Sequence, residues 1–279
     1  MKKAVTMQDI SCVGKCSLTA ALPVLSAMGI ETAVLPTAVL STHTMFSGFT
    51  FHDLTQQLRP IMAHWKQEHF QFDAVYTGYL GSFEQIDIAM ELLDTFGKGK
   101  LKIVDPCMAD SGKFYPGFTQ DFADAMAELC AHADLICPNL SEASFLLHEP
   151  YRSTYDETYI KDILKRLSDL GCSTAVLTGV SFEEGKIGAF AYDRKTDTYT
   201  SYFTSEEKEH FHGTGDLWAS ALCGALINSM DLHHALKTAC EFIREAIHLT
   251  LEEADHNTYG VNFEQAIPYL IQLLKRADS

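Results

Sequence analysis

The chain has 279 residues, 47% hydrophobic and 21% charged, which is a globular composition rather than a disordered or fibrous one. Its formal charge of −16 at pH 7 argues against a nucleic-acid or acidic-membrane partner, and no apolar run approaches the ~20 residues of a bilayer span. MKKAVTMQDI lacks the apolar stretch of a secretory leader and the 8 cysteines form no C-x-x-C pair, so a cytoplasmic location with reduced core thiols is expected.

In chain order, KKAVTM reads as a strand, CSLTAALPVLSAMG as a helix and ETAVLPTAVL as an extended run that Pro36 ends or bulges. HDLTQQLRPIMAHWKQE is helical, with a kink expected at Pro60. Strand FDAVYTGYL, helix FEQIDIAMELLDTF, strand LKIVD, helix FTQDFADAMAELCAHA and strand DLICPN follow. SEASFLL and ETYIKDILKRLSDLG are helical, and STAVLTGV is a strand. KIGAFAYD and TYTSYFT form a hairpin through residues 194–197, and three helical stretches close the chain. This alternation implies βαβ crossovers: one α/β domain over residues 1–279, doubly wound, with a mostly parallel sheet and helices on both faces.

Ligands in such sheets bind beyond the carboxyl ends of the strands. The residues found there are polar: Gln8-Asp9, Ser41-Thr42-His43-Thr44, Gly78-Tyr79, Asp105-Pro106, Asn139 with Glu142, and Thr178-Gly179. To these the turn Gly213-Thr214-Gly215-Asp216 adds a helix N-terminus, because the apolar run LWASALCGALI follows it. Its free N–H groups and dipole favour an anion, and its glycines let backbone approach a ligand closely. Amides there could stabilise charge on a transferring phosphoryl group while Asp216 takes a proton from an attacking hydroxyl. Neither a G-x-G-x-x-G dinucleotide fingerprint nor a G-x-x-x-x-G-K-[ST] loop fits the chain.

Asp105-Pro106 is also a common turn pair, and Asn139 with Glu142 also reads as a helix cap and its capping-box partner. Carboxylates at neighbouring strand tips would equally suit a hydrated Mg²⁺, so Asp105 and Glu142 are the metal candidates, acting through water. His43 falls in STHT after an extended run, a setting that favours a substrate pocket. The other histidines weighed, at 64, 69, 132, 148, 233 and 234, read as solvated. The acidic stretch SEEKEHF, 205–211, reads as a mobile cover.

Together GTGD before an apolar helix, DP at a strand end and PNxxE after the next strand resemble the ribokinase-like superfamily. STHT at 41–44, TGYLGS at 77–82, VDPCMAD at 104–110, CPNLSEASFL at 137–146 and HGTGDLWAS at 212–220 look more narrowly like pyridoxal/pyridoxamine kinase. The resemblance implies ATP-dependent phosphorylation of the 5′-hydroxyl of a vitamin B6 vitamer, with Mg²⁺, a monovalent cation left open, and a homodimer. It implies Asp216 as the base and the Gly213, Thr214 and Gly215 backbone as the γ-phosphate anion hole. Asp105, Asn139 and Glu142 match the phosphate and Mg²⁺ neighbourhood, and Thr178 a nucleotide contact. His43, Thr44 and Tyr79 match positions around the pyridine ring. Asp9 stands where many such kinases have serine; a carboxylate there would accept from a protonated ring nitrogen or the 3-hydroxyl. Two alternatives stay open: hydroxymethylpyrimidine kinase, and a non-catalytic vitamer- or nucleotide-binding protein on the same fold.

Overall fold

Side chains alternate along the strands, and the alternation builds two cores on opposite faces of one sheet. The computed structural model describes residues 1–207, 209 and 211–277. Its strands are β1 (Lys2–Ser11), β2 (Ile30–Leu40), β3 (Phe51–Asp53), β4 (Ala74–Thr77), β5 (Leu101–Val104), β6 (Ala109–Asp110), β7 (Lys113–Phe114), β8 (Leu135–Ile136), β9 (Thr174–Val180), β10 (Lys186–Asp193) and β11 (Thr198–Ser205). The helices are α1 (Ser17–Ala27), α2 (Thr55–Gln67), α3 (Phe83–Phe96), α4 (Gln120–Ala131), α5 (Leu140–Leu146), α6 (Glu157–Asp169), α7 (Thr214–Ile227), α8 (Leu232–Leu251) and α9 (Phe263–Ala277).

The large sheet has the order β11-β10-β9-β8-β5-β4-β1-β2-β3. From β9 to β2 every pairing is parallel. Strands β3, β10 and β11 add antiparallel edges. This is the expected doubly wound α/β sheet of a ribokinase-like fold. The chain moves outward from β1 to β2 and later returns to β1's other side as β4, so the order reverses at β1 and a crevice opens there.

Val5, Met7, Val75, Val104, Ile136 and Leu177 point to the face covered by α2 to α6. Their neighbours Ala4, Ala74, Tyr76, Ile103, Leu135 and Val176 point to α1, α7, α8 and α9. Helix α7 is buried along almost its whole length between α1, α8 and the sheet, which explains why its sequence is apolar all round.

Several boundaries differ from the sequence expectation. β1 continues to Ser11, so Asp9 lies within the strand rather than beyond it. Pro36 bulges β2 instead of ending it: the register shifts between Gln8 and Ile10, opposite Pro36 and Val39. Phe51–Asp53 is a short edge strand ahead of α2, and the β6–β7 hairpin (Ala109–Asp110 with Lys113–Phe114) occupies a stretch read as loop. Both are too short for a periodic signal. The thiols are free, but Cys12 is exposed and Cys107 only half-buried, unlike the core thiols expected. The expected cover at 205–211 begins in β11 at Ser205, and Lys208 and His210 lie outside the described residues.

Candidate active site

The site begins where α7 meets the turn between β1 and α1. Gly213 caps α7 in the left-handed region at φ +77°, and a Cβ there would collide with the carbonyl oxygen of Lys15. A Cβ on Gly215 would meet nothing within 4 Å, so one glycine is there for contact and the other for open space. No side chain caps α7, which leaves its first N–H groups to whatever enters the crevice. Thr214 turns its hydroxyl back to the carbonyl of Phe211 at 3.1 Å.

Asp216 sits in that first turn, partly buried. Burial pushes its carboxyl up to about 6, the Ser17 backbone N–H opposes the rise, and the charge of Asp9 adds to it. Ser17 opens α1 at φ +47°, a left-handed conformation that costs a non-glycine residue about 1 kcal/mol. That geometry serves two carboxylates, the N–H facing Asp216 and the hydroxyl facing Asp9. Asp9 is buried, which raises its carboxyl, while hydrogen bonds from Ser17 and Ser11 pull it back. The Ser11 hydroxyl donates to Asp9 Oδ2 at 3.3 Å.

Asp105 and Glu142 form a second acidic pair. Both are buried. Burial raises both carboxyls, and Asp105 is raised further by the charges of Glu142 and Asp216. Glu142 accepts from Met108 N at 3.1 Å and Asn139 N at 2.8 Å, and Asn139 accepts from Glu142 N at 2.9 Å. The capping box is therefore real. Asn139 Nδ2 also donates to the Ala109 carbonyl at 2.8 Å, which ties the β6–β7 hairpin to α5. Among the described residues no group of three His, Cys, Asp or Glu forms a metal cage. Two buried oxygen donors with raised carboxyls nevertheless fit Mg²⁺, which keeps most of its water and would relieve their repulsion.

Asp105, Asn139, Glu142, Thr178, Gly215 and Asp216 line one cavity of about 120 Å³, together with Gly213. A second cavity of about 220 Å³ adjoins it and shares Thr178, Gly215 and Trp218. Its walls include Ile187, Ile243 and Ile247, an apolar slot edged by Thr214 and Arg244. The Arg244 guanidinium is held by Glu241 at 3.2 Å.

The remaining candidates gather elsewhere in the crevice, outside the lining of both cavities. His43 is half-buried with its ring 4.9 Å from that of His212. Burial and then the nearby His212 charge lower its pKa, and its Nδ1 accepts from Met45 N at 3.1 Å. Tyr79 is partly buried; desolvation, with the charges of Asp9 and Cys107, pushes its phenol up to about 12. Thr44 is exposed on the loop after β2, next to His43 in the chain.

Sequence reasoning missed Ser17, Trp218 and Arg244, and also Cys107 and Tyr115, which line the smaller cavity. Ser17 follows a plausible helix start, but nothing local reveals partners in β1 and α7. Trp218 read as an ordinary member of an apolar helix and Arg244 of an amphipathic one.

A family model for phosphomethylpyrimidine kinase matches residues 16–261. The hydroxymethylpyrimidine/phosphomethylpyrimidine kinase of Bacillus subtilis (strain 168) is 27% identical over 225 residues, spanning 80% of this chain and 79% of that protein. A crystal structure described as a phosphomethylpyrimidine kinase from Bacteroides thetaiotaomicron, in a form with pyridoxal, is 38% identical with a TM-score of 0.92, covering 96% of this chain and 95% of that one. Pyridoxal kinase from Lactobacillus plantarum is 31% identical with a TM-score of 0.90, covering 99% of each chain.

Proposed function

Because the chain belongs to the phosphomethylpyrimidine kinase family, and so to phosphotransferases with a hydroxyl acceptor, we propose that it moves the terminal phosphoryl group of ATP to the 5′-hydroxymethyl group of a vitamin B6 vitamer. The observation that carries this reading is the placement of Asp216. Its carboxyl is poised near neutrality in the first turn of α7, beside uncapped amides and on the wall of a cavity that opens into an apolar slot.

Asp216 takes the proton from the acceptor hydroxyl as oxygen attacks phosphorus, a role for which a pKa near the working pH is suited. The amides of Gly213, Thr214 and Gly215 donate to the phosphoryl oxygens, whose charge they face without reorganising. The slot between Ile187, Ile243 and Ile247 holds the nucleoside, with Thr178 at the junction with the phosphates. Asp105 and Glu142, with Asn139 fixing Glu142, would hold Mg²⁺, which would supply charge neutralisation at the phosphates. Asp9, His43 and Tyr79 receive the pyridine ring, with Thr44 beside His43 at its rim.

The pyridine acceptor is favoured by two relatives: the 38% identical structure with pyridoxal and the 31% identical pyridoxal kinase that spans 99% of the chain. A hydroxymethylpyrimidine acceptor is the second reading, favoured by the family model and by the B. subtilis relative. The exposed apolar edge of Met45, Phe46, Phe49 and Phe51 supports the homodimer. No helix among the described residues is long and apolar enough to cross a membrane; cytoplasmic residence belongs to the same reading. Purified protein assayed with ATP, Mg²⁺ and each of pyridoxal, pyridoxine, pyridoxamine and hydroxymethylpyrimidine decides between acceptors. Turnover of the pyrimidine without any vitamer would overturn the B6 reading, and binding without any turnover would leave a non-catalytic protein.

A further inference from the structure

Lys15 lies in the turn between β1 and α1, and its side chain reaches residues 247 and 249 positions away in the chain. Its carbonyl oxygen occupies the space a Cβ on Gly213 would need. Its aliphatic stem lies against Gly260, where an added Cβ would fall 2.6 Å from the Lys15 Cβ. Its ammonium reaches Asn262 Oδ1 at 3.1 Å and Glu264 Oε2 at 2.9 Å, and sits 5.8 Å from the Phe263 ring centroid.

These contacts are more than a surface ion pair. The Lys15 side chain is only 16% exposed, while Glu264 is 55% exposed, so the pairing with Glu264 alone is screened. Asn262 is buried and is itself anchored, its N–H donating to the Thr250 hydroxyl of α8 at 2.7 Å. A continuous link therefore runs from α8 through Asn262 and Lys15 to the glycine that starts α7. Two residues beyond Lys15, the strained Ser17 presents its N–H to Asp216.

We propose that Lys15 is a positioning residue that clamps the β1–α1 corner between Gly213 and the segment 260–264, and so fixes where the carboxylate of Asp216 sits. The inference rests on Asp216 serving as the base. Lys15 donates its hydrogen bonds to Asn262 and Glu264 and lines neither cavity. Its loss therefore degrades alignment rather than binding, and misplacement of a reacting group by about 1 Å can cost on the order of 10²-fold in rate.

The test compares Lys15→Met, which keeps the stem and removes the ammonium, with Lys15→Arg, which restores a cation. Lys15→Met should lose roughly 10- to 100-fold in kcat with KM for ATP and acceptor within about twofold, and Lys15→Arg should recover most of the loss. In an Asp216→Asn background the same change should cost almost nothing further, because both act at one point. Hydrogen exchange in peptides spanning 15–17 and 213–217 should accelerate about tenfold in Lys15→Met without any substrate present. Should Lys15→Met fail to fold, Gly260→Ala crowds the same stem and should lower kcat in the same way. Wild-type kcat in Lys15→Met, an undiminished effect in the Asp216→Asn background, or unchanged exchange would each overturn the proposal. A wild-type protein that phosphorylates no acceptor would sink the functional reading instead, and the exchange measurement would still decide the role of Lys15.

Discussion

His43 and His212 hold their rings 4.9 Å apart at an angle of 40°, joining the loop after β2 to the residue before Gly213. Burial and then His212 lower the pKa of His43 below 6.5, so the folded protein favours its neutral form. Stability from this residue is complete above pH 6.5 and is lost as pH falls from there through the lowered value. His212→Ala should move the His43 titration upward toward 6.5, read from its ring-proton shifts by NMR. An unmoved or lower value would show that the two rings are not electrostatically coupled.

Asp216 sets a limit on catalysis and on stability at once. Rates should fall on acidification through about pH 6 as its carboxyl takes a proton. Asp216→Asn should bind ATP and acceptor but lose roughly 10²–10⁴-fold in kcat. The raised value also means that the folded state pays for ionising it above pH 6. The asparagine variant should therefore melt a few degrees higher at pH 8, about 2–4 °C per kcal/mol for chains of this size, with the gain gone by about pH 4. Wild-type activity in that variant would remove Asp216 as the base.

The two glycines of the turn should fail differently. Gly213→Ala meets the Lys15 carbonyl and a φ of +77°, and should destabilise the protein by about 1–3 kcal/mol in denaturant titration. Gly215→Ala enters open space and should leave the midpoint nearly unchanged while raising KM for ATP, because its methyl protrudes into both cavities. Equal unfolding midpoints for the two variants would contradict this division.

Trp218 lies on the wall shared by the two cavities, whereas Trp65 packs from α2 against Phe72 and Phe96. ADP with Mg²⁺ should change tryptophan emission in a Trp65→Phe variant and leave it unchanged in Trp218→Phe. The reverse pattern would move the nucleotide out of the slot.

The helices and the β10–β11 hairpin were legible because each is long enough for its hydrophobic period to show, and the short parallel strands β4, β5 and β8 because they are apolar runs between those helices. Helix α3 and strand β10 fall on the residues expected from that period. The strand-tip rule led to Asp105, Asn139, Glu142 and Thr178, which do meet at one cavity with Gly213, Gly215 and Asp216. It misjudged Asp9, because β2 bulges after Pro36 and β1 stays paired with it up to Ser11. It had no access to Ser17, Lys15 or Arg244, whose importance comes from partners brought near only by the folded chain. Thr44 was selected through its place in STHT, and that loop leaves it exposed.

The face of the sheet beneath α1 and α7 carries Ala4, Ala74, Ala189 and Ala191 where the opposite face carries Val5, Val75 and Phe190. Small residues work as thin shims between the larger Tyr76 and Ile103 of that face, leaving room for the helices to lie close to the strands. Widening one of them, as in Ala74→Leu, would overfill a fully buried position like a wedge under a floorboard. Evolution of a new acceptor preference in this scaffold is therefore freer in the loops that rim the crevice than in these alanines.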